Sequence, residues 1–148
     1  MVDLKNKTLL KIMWLPNENE ILFNIQNETF LPLTSDFYSK LFDYIDIDKW
    51  KILYSKKYHD WLNKDDICIY EINNEINLKM IDALMQLNKS LTEVMIFYWF
   101  DIDRTFDDKF NWEYCPISKK RLIVLGVGYP DINSLISPDY PLVFPITK

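Results

Sequence analysis

The chain has 148 residues, a net charge of -5 and 49% hydrophobic residues, which predicts one folded domain and argues against a disordered chain. Its two glycines and two arginines argue against glycine-rich phosphate loops and against arginine-based reading of nucleic acid. No apolar run reaches the ~18 residues of a membrane span and no export signal is recognisable, so we expect a cytoplasmic protein without membrane contact.

The first third of the chain predicts a hairpin and then a helix. Two apolar runs at 7–15 and 20–25 flank the turn-forming sequence PNEN. The segment 34–45 predicts a helix capped by Ser35 or Thr34. Five apolar side chains fall on one face of that helix: Phe37, Tyr38, Leu41, Phe42 and Ile45. The next segment, 46–66, fits either a short strand at 50–54 or a helix that begins at Asp48.

The remaining segments predict strands on both sides of a second helix. Residues 67–72 alternate like a half-buried strand, and 74–91 carry Met80, Leu84, Leu87 and Leu91 at helical spacing. The runs 93–100 and 120–127 are typical of central strands that are covered on both faces. Prolines at 130, 138, 141 and 145 predict an extended tail over 130–148 that wraps the surface.

These elements predict a single α+β domain over residues 1–148. Its sheet is mixed or mainly antiparallel, with two or three helices and the extended proline-rich C-terminal tail packed on it. The apolar residues of the tail, Leu142, Val143 and Phe144, are expected to dock on the domain.

One acidic motif follows the apolar run at 93–100. The sequence VMIFYWFDIDRTF resembles the first motif of the haloacid-dehalogenase-type phosphohydrolases. The resemblance implies a nucleophile at Asp101, an acid and base at Asp103, and a magnesium ion held by both. The family's usual glycine is replaced by Arg104, and its downstream lysine and paired acids are missing. A Mg-dependent phosphohydrolase is therefore an alternative function and not the leading one.

Two segments mix acids with large aromatic residues, which favours capture of a basic protein. Residues 101–114 hold five acids against two basic residues, and 43–50 place three acids beside Tyr44 and Trp50. In the opposing interpretation the acids end a strand in a solvated loop and the aromatic residues belong to the core. The predicted partner-binding residues are Asp43, Asp46, Asp48, Asp101, Asp103, Asp107, Asp108, Trp112, Glu113 and Tyr114.

The cysteines and the histidine indicate no catalytic or metal site. Cys68 and Cys115 do not form a CxxC pair, and the single histidine, His59, is distant from both in sequence. We expect two packed thiols, a partly exposed histidine, and no metal or cofactor.

The leading hypothesis is a non-catalytic, acidic protein-binding module of the inhibitor or immunity type. It would neutralise a basic partner such as a bacterial nuclease toxin, without binding nucleic acid directly. Besides the phosphohydrolase, a self-associating structural or regulatory subunit is the second alternative.

Overall fold

The computed structural model describes residues 6–63, 74–100, 113–125 and 134–145. These residues form three helices and a seven-stranded mixed sheet, which confirms the predicted α+β class. The elements are β1 (Thr8–Ile12), β2 (Leu22–Asn24), β3 (Thr29–Phe30), α1 (Asp36–Phe42), α2 (Ile47–Leu62), α3 (Glu75–Asn88), β4 (Val94–Trp99), β5 (Ile123–Leu125), β6 (Ser134–Ile136) and β7 (Leu142–Pro145). The strand order across the sheet is β3-β2-β1-β4-β7-β6-β5.

The predicted hairpin and both predicted helices are present. Strands β1 and β2 pair antiparallel. Ser35 caps α1 by accepting a hydrogen bond from the Phe37 N–H, and Asn74 caps α3 in the same way through Ile76. The ambiguous segment is a helix, α2, and not a strand at 50–54. The strand predicted at 67–72 lies outside the described residues.

Strand β4 is central, as its continuous apolar run predicted. It pairs parallel with β1 on one side and with β7 on the other. Its successive side chains Ile96 and Phe97 point to opposite faces, and both are fully buried. Buried residues of α1, α2 and α3 pack on the face that carries Ile96, while Phe97 belongs to a smaller apolar cluster on the other face.

The extended proline-rich tail is not confirmed. Within the described residues 134–145, β6 and β7 pair antiparallel, and β7 lies next to the central strand. Pro141 directly precedes β7, and Pro145 is its last residue, so neither proline interrupts the strand. Leu142, Val143 and Phe144 are fully buried, as expected of residues that dock on the domain.

The strand predicted from the run 120–127 is at the edge of the sheet and not in its centre. Strand β5 pairs with β6 alone among the described strands, and its Val124 side chain is 62% exposed. A continuous apolar run does not reveal which strands a segment pairs with, and here it misplaced the strand. None of the helices in the described ranges combines the length and apolar character needed to span a membrane.

Candidate functional site: an acidic corner between two helices

The structure describes five of the ten predicted partner-binding residues. Asp43, Asp46 and Asp48 lie together where α1 turns into α2, and all three are exposed. We call residues 42–48 the acidic corner. Glu113 and Tyr114 are also exposed and lie elsewhere, before β5. The other five, Asp101, Asp103, Asp107, Asp108 and Trp112, lie outside the described residues, and Asp101 and Asp103 are also the predicted catalytic residues of the phosphohydrolase alternative.

Backbone hydrogen bonds hold the acidic corner in a tight connection between the helices. Asp43 ends α1, and its N–H donates to the carbonyl groups of Lys40 and Leu41. The Leu41 carbonyl oxygen also accepts from the N–H groups of Tyr44 (3.0 Å) and Ile45 (3.1 Å). Asp46 then caps α2, because its Oδ1 accepts from the Lys49 N–H at 3.1 Å. Only four residues separate the two helices, and these bonds restrict most of them.

Buried side chains on either side of the acidic corner fix its position on the domain. Leu41 and Ile47 are buried, and Trp50 is only 3% exposed. The Trp50 indole N–H donates to the Ile76 carbonyl of α3 at 3.1 Å, and its ring lies 5.0 Å from that of Tyr54. The interpretation of Trp50 as part of the acidic-aromatic surface was therefore wrong, because its ring and its polar group are both satisfied in the core.

Two aromatic side chains of the acidic corner remain exposed. Phe42 is 45% exposed and Tyr44 is 40% exposed. The exposure of Tyr44 agrees with the sequence prediction, but Phe42 had been assigned to the apolar face of α1. A seven-residue helix has two turns, and here Tyr38 and Leu41 are its buried residues, which leaves Phe42 at the edge of the packed stripe. The acidic corner therefore presents two rings among three carboxylates.

The carboxylates of the acidic corner are not neutralised by neighbouring lysines. Within the described ranges, Asp43, Asp46 and Asp48 form no ion pair. Two nearby lysines are engaged elsewhere: Lys40 Nζ lies 5.3 Å from the Phe37 ring centroid, and Lys51 Nζ donates to the Asn19 carbonyl at 2.8 Å. Three exposed negative charges within six residues of sequence therefore face solvent and attract cations over about a Debye length.

The second described part of the predicted surface is less acidic. Tyr114 forms an isolated β-bridge with Arg121, whose guanidinium carbon lies 5.5 Å from the Tyr114 ring centroid. The Glu113 carbonyl accepts from the Leu122 N–H at 2.8 Å. An arginine over the ring reduces the negative potential there, so Glu113 and Tyr114 form a weaker candidate than the acidic corner.

Cys115 is a buried, hydrogen-bonded thiol. Burial raises its pKa, but hydrogen bonds from Ser118, Ser137 and the Ile117 N–H outweigh burial and leave the pKa below its ordinary value. The expectation of a packed thiol is met here, and Cys68 lies outside the described residues. His59 is exposed, and its Nδ1 lies 2.7 Å from the Ser55 carbonyl oxygen, where it acts as a donor.

The described parts of the chain contain no cluster of three or more histidine, cysteine, aspartate or glutamate residues that could hold a metal ion. Comparison with protein-family models, with curated proteins and with solved structures finds no match.

Proposed function

We propose that the chain is a non-catalytic binding module of the inhibitor or immunity type, and that the acidic corner captures a basic protein. One observation carries the proposal: residues 42–48 hold three exposed carboxylates without ion pairs in the described ranges and two exposed rings, on a helix connection that hydrogen bonds restrict. The carboxylates steer a cationic surface toward the corner, and Phe42 and Tyr44 supply the apolar area that holds it.

The charge of the acidic corner suits the class of partner. An enzyme that binds nucleic acid carries a positive cleft for phosphate groups. Exposed carboxylates grouped at one helix connection can enter such a cleft and form charge-assisted hydrogen bonds with its lysine and arginine side chains. The Asp46 side chain is held by its capping bond and the Asp43 backbone by the end of α1, which reduces the conformational freedom that is lost on binding. A bacterial nuclease toxin is therefore the partner class that we favour.

A triple variant tests the proposal without disturbing the fold. In Asp43→Asn/Asp46→Asn/Asp48→Asn the charges are removed, while asparagine at position 46 still caps α2. The matched control is Glu28→Gln/Asp82→Asn/Glu93→Gln, which removes three exposed acids outside the acidic corner. Both variants change the net charge from -5 to -2, because each removes three negative charges.

Wild-type protein and both variants are immobilised and exposed to lysate of the organism that encodes the chain. We expect a basic protein to be retained by the wild type and the control variant, and lost from the corner variant. The purified partner should degrade plasmid DNA, and the wild-type chain should block that activity in a 1:1 titration. Retention by all three proteins, or a partner with no basic surface, would refute the proposal.

The phosphohydrolase remains a separate prediction, because Asp101 and Asp103 lie outside the described residues. It predicts Mg-dependent turnover of a phosphomonoester that is abolished by Asp101→Asn. Turnover of this kind would replace the binding-module proposal with an enzymatic function.

A further inference from the structure

The outward face of α2 carries a short row in which an acid and a lysine flank an exposed apolar side chain, and half-buried Asp60 continues this row beyond the lysine. Asp48, Ile52 and Lys56 follow one another at four-residue spacing, so they form one ridge on the helix surface. All three are exposed, and Ile52 at 71% is the most exposed large hydrophobic side chain in the described ranges. The opposite face of α2 is held in the domain by Trp50 and Tyr54.

The two charges of this row do not neutralise each other within one molecule. Asp48 and Lys56 are eight positions apart in the helix, which corresponds to about 12 Å along the axis. Within the described ranges neither side chain forms an ion pair. The row therefore presents an apolar side chain with an unpaired negative charge one turn before it and an unpaired positive charge one turn after it.

We propose that this face of α2 docks on the same face of a second copy of the chain, with the two helices antiparallel. A two-fold axis at Ile52 places Ile52 against its symmetry mate. The same axis brings Asp48 of each copy to Lys56 of the other, because both residues are four positions from Ile52. One contact thus buries the exposed apolar side chain and forms two equivalent ion pairs, as an isologous interface requires.

Helix packing geometry allows this contact. Rows of residues at four-residue spacing are inclined to the helix axis, and when the axes cross at about 50° the two rows run parallel and each lies in the groove beside the other, so the two Ile52 side chains pack side by side across the two-fold axis. Asp48 and Lys56 are each about 6 Å along their helix axis from the point where the two helices cross. The long lysine side chain then spans the distance from its own helix to the aspartate on the other helix. A contact of one helix face buries less than the ~800 Å² per partner of a standard interface. We expect a reversible dimer with Kd between about 10 μM and about 1 mM.

The inference does not depend on the proposed function. The two surfaces share Asp48, the last residue of the acidic corner, whereas Ile52 and Lys56 lie outside the corner, so a change at Ile52 separates the two proposals. Loss of self-association in an Ile52 variant that still retains a basic partner would concern the dimer alone.

Sedimentation velocity over a protein concentration series tests the first part of the proposal. We expect the wild type to shift from monomer to dimer with concentration, and Ile52→Asp to raise Kd at least tenfold. The control is Leu33→Asp, which changes an exposed apolar residue in the loop before α1 and should dimerise like the wild type. A wild type that stays monomeric to about 1 mM, the upper limit expected for this interface, would overturn the proposal.

Charge reversal tests the pairing itself. Asp48→Lys places two lysines opposite each other at each end of the contact, and Lys56→Asp places two aspartates there, so each single variant should raise Kd. The double variant Asp48→Lys/Lys56→Asp restores opposite charges and should recover most of the wild-type affinity. Circular dichroism verifies that each variant is folded. If the double variant dimerises no better than the single ones, the two residues do not pair and the proposed geometry is wrong.

Discussion

The Tyr38 hydroxyl group joins α1 to the hairpin, and its removal gives the sharpest test of the fold. The hydroxyl accepts hydrogen bonds from the backbone N–H groups of Ile21 and Leu22, each at 3.1 Å, and donates to the Leu31 carbonyl at 3.1 Å. Ile21 and Leu22 are fully buried, and Tyr38 is 7% exposed. The substitution Tyr38→Phe keeps the ring and removes all three bonds.

The expected loss of stability follows from the two buried N–H groups, of Ile21 and Leu22, that would lose their acceptor. A buried N–H group that is left without an acceptor costs about 1–3 kcal/mol of stability, whereas replacing the donor and the acceptor together by apolar groups would cost little. With two such groups, we expect Tyr38→Phe to lower the free energy of unfolding by about 3 kcal/mol. For a domain of this length the same change lowers Tm by roughly 6–12 °C. The control is Tyr44→Phe, because the Tyr44 side chain is exposed and its change should stay within about 0.5 kcal/mol.

The assay is denaturant unfolding followed by fluorescence, with thermal unfolding in parallel. Burial raises the pKa of Tyr38, and hydrogen bonds from Leu22 and Ile21 lower it only in part. The native state therefore keeps the phenol proton at a pH where the unfolded state has lost it. Relative to Tyr38→Phe, the wild type should lose stability as pH rises above about 10, the pKa of an unperturbed tyrosine. Equal stability of Tyr38→Phe and Tyr44→Phe at neutral pH would refute the role assigned to the hydroxyl group.

Three further predictions concern single side chains. Burial lowers the pKa of Lys11 to about 8, although the rings of Phe23 and Trp99, each within 5.2 Å of Nζ, favour the charged form. Between pH 8 and 10.5 the native state has therefore lost a proton that the unfolded state still binds. In urea titrations over this range the wild type should gain stability relative to Lys11→Met, by at most about 3 kcal/mol. Asp46→Ala should lower the free energy of unfolding by about 1 kcal/mol, whereas Asp46→Asn should change it little, since both aspartate and asparagine cap a helix. If thermal unfolding shows the same loss of stability for both variants, the charge of Asp46 matters and its capping bond does not. Asn88→Ala should cost about 2–3 kcal/mol, because its amide bonds both the N–H and the carbonyl of buried Ile96 at 2.9 Å, and unchanged hydrogen exchange at Ile96 would contradict this.

The sequence alone determined most of the local structure and the nature of the candidate site. The capping residue Ser35, the spacing of Met80 and Leu84, and the apolar run of β4 each act over short distances, so the corresponding elements were predicted correctly. The exposed acids of the acidic corner were also named from the sequence, because carboxylates without a partner remain in water.

Strand pairing and the exposure of the aromatic residues could not be read from the sequence, because both depend on the folded arrangement of the chain. The prolines near the C-terminus indicated a surface tail, yet β7 lies beside β4. Pro141 and Pro145 are at the boundaries of β7, so Leu142 to Phe144 can pair with the neighbouring strands. Trp50 and Tyr44 are both aromatic residues among acids, but only Trp50 faces α3, where the Ile76 carbonyl accepts its N–H. Likewise, Ile52 could be placed on an exposed face only once α2 was known to be a helix. Pairing and burial depend on contacts between segments far apart in the chain, and local patterns do not contain them.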